Sequence, residues 1–62
     1  MKTNKKDING KEIFVGNKVS LSLSHFKGIG EVVLKKGMFL IRWSESDFSE
    51  LDGDHLYAEI VS

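Results

Sequence analysis

Few residues in this chain could do chemistry. Asp52, Asp54 and His55 stand together in "DGDH". Carboxylates around a glycine turn can hold a hard cation, but an EF-hand loop needs ligands at fixed positions and a closing Glu, and that pattern is absent. Turn chemistry accounts for Asp-Gly-Asp alone, so no metal site is expected. His25 and His55 are the only histidines and lie 30 positions apart. A base and a nucleophile need hydrogen-bond reach and usually a third, orienting group. Ser20, Ser22 and Ser24 read as a solvated strand face, and no Gly-x-Ser-x-Gly occurs. Gly28-Ile29-Gly30 lacks the third glycine and the following helix of a phosphate loop. Its glycines are better read as a bend at the entry to a strand. No catalytic residue and no cofactor is expected, and the chain reads as a non-enzyme.

Binding chemistry is better represented. Residues 1–43 hold all nine basic groups and three acidic ones (Asp7, Glu12, Glu31), a net of +6. Residues 44–62 hold six acidic groups and no basic one, a net of −6. Such asymmetry bears on partners rather than on fold. Glu45, Asp47, Glu50, Asp52 and Asp54 enclose Phe48 and Leu51, and Tyr57 follows. Acid with apolar anchors suits a protein-docking loop facing a basic partner surface. The plainer reading is a solvated loop. Phe26, Lys27, Lys35, Lys36 and Arg42 form the alternative, a nucleic-acid surface with cations for phosphate and an aromatic for stacking. The near-neutral balance of charge weighs against it.

These residues must be positioned by very little chain. Sixty-two residues make one domain, and a domain of this size buries only about 60% of the surface its unfolded chain exposes. Self-association or docking on a partner would complete so small a core. The absence of cysteine excludes disulfides and thiolate-bound zinc or iron–sulfur centres. The longest apolar run, Met38 to Ile41, is far short of a membrane span or a signal peptide. A complete, unprocessed cytosolic product is expected.

Along the chain, residues 1–6 are lysine-rich and are expected to form a disordered tail. Asn9-Gly10 is a strong turn signal, Lys11–Val15 a short extended piece, and Gly16-Asn17 a second break. In "KVSLSLS", Val19, Leu21 and Leu23 alternate with serines, the clearest period of two in the sequence. Ile29–Lys36 is the next strand, with Val32 and Leu34 on one face. Lys36-Gly37 turns the chain into Met38–Trp43, where Phe39, Ile41 and Trp43 oppose Met38, Leu40 and Arg42. Trp43, Tyr57, Phe26 and Phe14 are the aromatic candidates for a shallow groove, with Trp43 expected mostly in the core and Tyr57 the better surface residue. Ser44–Asp54 reads as a polar loop in which Phe48 and Leu51 permit one helical turn. His55–Val61 is the last strand, with Leu56, Ala58 and Ile60 facing inward. Four to five short strands at this spacing predict an all-β fold, a small single-domain SH3-like barrel over residues 7–62.

The segment "DINGKEIFVGNKV" resembles the segment Asp-x-Asn-Gly-Lys-Glu-Ile-aromatic-x-Gly-Asp-x-Val of the YopX family of small phage and prophage proteins. Asp7, Asn9, Gly10, Lys11, Glu12, Ile13, Phe14, Gly16 and Val19 carry the likeness. Asn17 departs from the family's Asp. Either side chain can bond turn amides, but a role needing that acid's charge does not carry over. "GIGEVV" and "GMFLIRW" resemble the looser pattern of SH3-like, Tudor-like and KOW-like barrels. The resemblance implies a barrel of phage or prophage origin in the host cytoplasm and transfers no catalytic residue. The expected function is a non-enzymatic accessory protein that binds another protein, such as a host factor. Nucleic-acid binding is the alternative, self-association is a third reading, and no membrane partner is expected.

Overall fold

The alternation in "KVSLSLS" sets a strand that is paired on both edges. In the computed structural model, which describes residues 1–62, Val19 and Leu21 are buried while Lys18 and Ser22 are exposed. Seven strands surround this pattern: β1 (Lys2–Lys6), β2 (Glu12–Phe14), β3 (Lys18–Ser22), β4 (Lys27–Lys35), β5 (Met38–Arg42), β6 (Phe48–Glu50) and β7 (Ala58–Ile60). One helical turn, α1 (Leu51–Asp54), separates β6 from β7. β1 pairs with β2, and the other strands form one antiparallel sheet in the order β6-β5-β4-β3-β7.

The inner face of the larger sheet carries Val19, Leu21, Val32, Ile41 and Ala58, and Ile13 and Leu51 complete a core of seven buried side chains. Phe39, Trp43, Leu23 and Ile60 pack against it. β4 turns into β5 through Lys36 and Gly37, both at positive φ (52° and 78°). This is the two-residue turn whose twist matches that of the flanking strands. It fixes the register Lys35 opposite Met38 and Val32 opposite Ile41.

The segment from Asp7 is a clasp. The buried Asp7 carboxylate accepts the amides of Asn9 and Lys11 (both 2.9 Å), which shapes the turn at Gly10, and the amide of Ile60 in β7 (3.0 Å). Ile8 N–H donates to the Ala58 carbonyl at 2.8 Å. Burial pushes the Asp7 carboxyl up. The amides of Ile60, Lys11 and Asn9, with the Lys11 charge, outweigh it and hold the group below its ordinary value of 3.8. Asn17 works at the next turn: its Oδ1 accepts Phe14 N–H at 2.8 Å and its Nδ2 donates to the Ser62 carbonyl at 3.3 Å.

Four expectations are corrected. Residues 1–6 do not lie apart from the fold, since Lys2–Lys6 is β1. Thr3, 2% exposed, donates to the Ile13 carbonyl at 2.8 Å; one small inward residue among lysines suffices for an edge strand. The stretch 44–54 is not all loop: it contains β6, and the helical turn it permits lies at Leu51–Asp54 and leaves Phe48 in the strand. The last strand is only Ala58–Ile60, because four successive turn bonds from Leu51 to Ala58 hold the chain before it, and Leu56 is left 59% exposed. Finally, backbone pairing does not close the sheet into a barrel: β6 and β7 are its two edges. Both are short, and the clasp occupies the free side of β7.

Candidate functional site

Two glycines on β4 prepare the site. A Cβ on Gly30 would lie 2.6 Å from Ile41 Cγ2, 2.8 Å from Trp43 Cε3 and 2.9 Å from the Arg42 carbonyl. One on Gly28 would lie 3.3 Å from Phe26 Cζ and 3.7 Å from Trp43 Cε3. Trp43 and Phe26 therefore rest on bare backbone. The Gly-x-Gly spacing puts both glycines on the inner face, where alternation directs Trp43 as well.

Each aromatic is held from a different side. Trp43 follows β5, its amide bonded to the Asp47 carbonyl at 2.8 Å, and its indole Nε1 donates to Ser49 Oγ at 2.9 Å. Phe26 closes the β3–β4 turn through paired backbone bonds with Leu23 (2.7 and 3.4 Å). The two rings meet edge to face, 4.9 Å between centroids at 70°, a favourable quadrupole arrangement. Phe26 remains 36% exposed and Trp43 is half-buried.

These rings line an open cleft of about 400 Å³ together with Leu21, Leu23, His25, Asp47 and Asp54. Neither carboxylate has an ion-pair partner. Trp43 also lines a neighbouring cleft of about 420 Å³ with Lys18, Glu45 and the Arg42–Glu31 ion pair (3.0 Å). An open pocket with an aromatic wall and unpaired acids can take an apolar side chain beside a cation. His25 and Ser49 also line the cleft, and the Ser49 hydroxyl accepts the Trp43 indole N–H.

The acidic tract is thus divided rather than presented as one docking loop. Asp47 and Asp54 reach the aromatic cleft, and Glu45 reaches its neighbour. Phe48 and Glu50 project from the outer face of β6, beside Arg42 and Leu40. Asp52 is paired with Lys5 at 3.0 Å. Leu51 is fully buried in the core, so it cannot anchor a partner. Tyr57 is exposed at 57%. His55 Nδ1 lies 2.9 Å from the Lys6 carbonyl, which ties "DGDH" to β1.

The basic set is also scattered. Lys35 lies over the Phe48 ring at 4.5 Å, Lys36 sits in the tight turn, Arg42 is engaged by Glu31, and Phe26 packs on Trp43 at the inner-face cleft. Lys27, opposite Ser22, is exposed. Sequence reasoning named Phe26 both with these cations and, with Trp43, Tyr57 and Phe14, as a groove aromatic, and expected Trp43 mostly in the core, against which it packs half-buried. The signal for their pairing was Gly28-x-Gly30 on the strand next to Trp43. No family model, curated protein or solved structure matches the chain.

Proposed function

We propose that this is a small, non-enzymatic protein-binding domain of SH3-like architecture, whose aromatic cleft takes an extended segment of a partner protein. The observation that carries the reading is the Phe26–Trp43 pair, held on glycine backbone in an open cleft with two unpaired carboxylates. Half-exposed aromatics on a rigid floor supply contact area at low entropic cost. Asp47 and Asp54 favour a Lys or Arg next to the apolar side chain that fills the cleft, and the ring faces add cation–π attraction.

The strand order supports the architectural part. A meander β4-β5-β6, one helical turn, and a last strand returning to β3 is the path an SH3-like barrel follows. The YopX-like likeness of residues 7–19 adds a phage or prophage setting, with a host protein in the cytoplasm as partner. The clasp at Asp7 gives that segment an architectural role, and binding falls to the opposite part of the chain.

Selection of displayed random peptides against the protein tests the reading. Recovered peptides are expected to share a basic residue next to an apolar one, and to bind the Asp47→Asn, Asp54→Asn double variant about tenfold more weakly. Peptides without that pattern, or unchanged affinity in the variant, would refute it. Binding of single-stranded DNA that weakens with salt and with Lys27→Ala would favour the nucleic-acid alternative.

A further inference from the structure

The two edges of the five-stranded sheet differ. At β7, Glu59 and Val61 face β3, as the bond from Val61 N–H to the Lys18 carbonyl (2.8 Å) shows, so Ala58 and Ile60 turn their backbone groups outward. The chain itself occupies that side: Ile8 N–H donates to the Ala58 carbonyl, and Ile60 N–H donates to Asp7. At β6 the parity follows from Trp43 N–H on the Asp47 carbonyl (2.8 Å) and the register Ile41 opposite Ser49. Asp47 and Ser49 face β5, so Phe48 and Glu50 turn their amides and carbonyls away from the sheet. No other strand pairs with this edge, and the Glu50 carbonyl, which starts α1 as its N-cap, still offers a second lone pair. One edge is sealed and the other is open.

We infer that the open edge of β6 pairs with the β6 of a second copy of this chain, antiparallel about Ser49. In that register Phe48 lies opposite the second copy's Glu50, and each of the two such pairs exchanges both N–H···O bonds. The side chains match. Lys35 Nζ stands 4.5 Å over the Phe48 ring, on the same outer face of the sheet as the incoming Glu50 side chain. The two Phe48 rings become diagonal neighbours, within reach of one another. Val33 and Leu40, half-buried on the same outer face, continue this apolar surface. An unrelated strand would gain the backbone bonds but not this reciprocal charge match, which commits the site to a second copy. Trp43, which belongs to the binding cleft, lies on the inner face away from the paired edge, where only the two Ser49 meet across the axis.

Glu50 has φ −72°, an angle that proline adopts, and its N–H faces outward. Glu50→Pro therefore removes one pairing donor without breaking the β5–β6 ladder. Sedimentation from about 10 µM to about 1 mM is expected to show a monomer–dimer equilibrium for the full chain. Glu50→Pro should remain monomeric with an unchanged circular dichroism spectrum. Glu50→Lys and Lys35→Glu should each weaken association about tenfold, and their equimolar mixture should restore it as a heterodimer. A wild-type monomer at about 1 mM, a dimer that survives Glu50→Pro, or a mixture that associates no better than its components would overturn the inference. The first result would leave the edge to a strand of another protein.

Discussion

The Asp7 carboxylate receives the Ile60 amide proton at 3.0 Å across 53 positions of sequence. One buried side chain thus shapes the turn at Gly10, docks that turn on the last strand and seals one edge of the sheet. For a core of only seven buried residues, such a polar tie is a large share of what fixes the two ends of the chain together.

Asp7→Ala should cost about 2 kcal/mol of unfolding free energy, because it leaves the part-buried amides of Asn9, Lys11 and Ile60 without their acceptor. Urea denaturation followed by Trp43 fluorescence measures this. An effect under about 0.5 kcal/mol, the range of ordinary surface substitutions, would remove the clasp from the account.

The same group sets a pH dependence. Its folded pKa lies below the unfolded value, so its stabilisation is complete above the ordinary value of 3.8 and is lost as pH falls through the lower folded value. The stability difference between wild type and Asp7→Asn is therefore expected to shrink from about pH 4 downward. A difference that stays constant or grows over that window would contradict the assignment.

Gly30→Ala should destabilise by about 2 kcal/mol, since its Cβ would meet the Arg42 carbonyl and the Trp43 ring, and backbone cannot swing aside. The Trp43 emission maximum should shift with it. Retained stability with an unshifted spectrum would show that the ring does not rest on Gly30.

The β4–β5 turn should be improvable. Lys36 holds φ 52°, which asparagine tolerates better than lysine. Lys36→Asn is expected to raise stability by about 0.5 kcal/mol, and Gly37→Ala, at φ 78°, to lower it by about 1 kcal/mol. Urea midpoints of the two variants moving in the same direction would refute the turn type.

Much of the fold was legible because alternation reports which side of a strand faces the core. Val19, Leu21, Val32 and Ile41 are buried as their period of two requires. β1 was not legible, because only Thr3 of its five residues faces inward and its lysines resemble a tail. Leu56 fails for the opposite reason: it fits the alternation of "HLYAEIV", but turn bonds starting at Leu51 claim the backbone first. The acidic tract was visible as composition. Its division among a cleft, an outer face and the core depends on which side of β6 each residue takes, and that is set by pairing with β5.

Trp43 is the chain's single tryptophan, so its indole N–H gives one resonance, held by Ser49 beside Phe26. Titrating the 15N-labelled protein with a selected Lys- or Arg-containing peptide follows that resonance with the amides of Phe26, Asp47 and Asp54. The expected result is saturable, concerted movement of these signals, lost in the Asp47→Asn, Asp54→Asn variant, with Lys27 and Lys36 unmoved. Saturable binding that leaves the Trp43 indole in place would contradict the cleft as the site where this protein binds its partner.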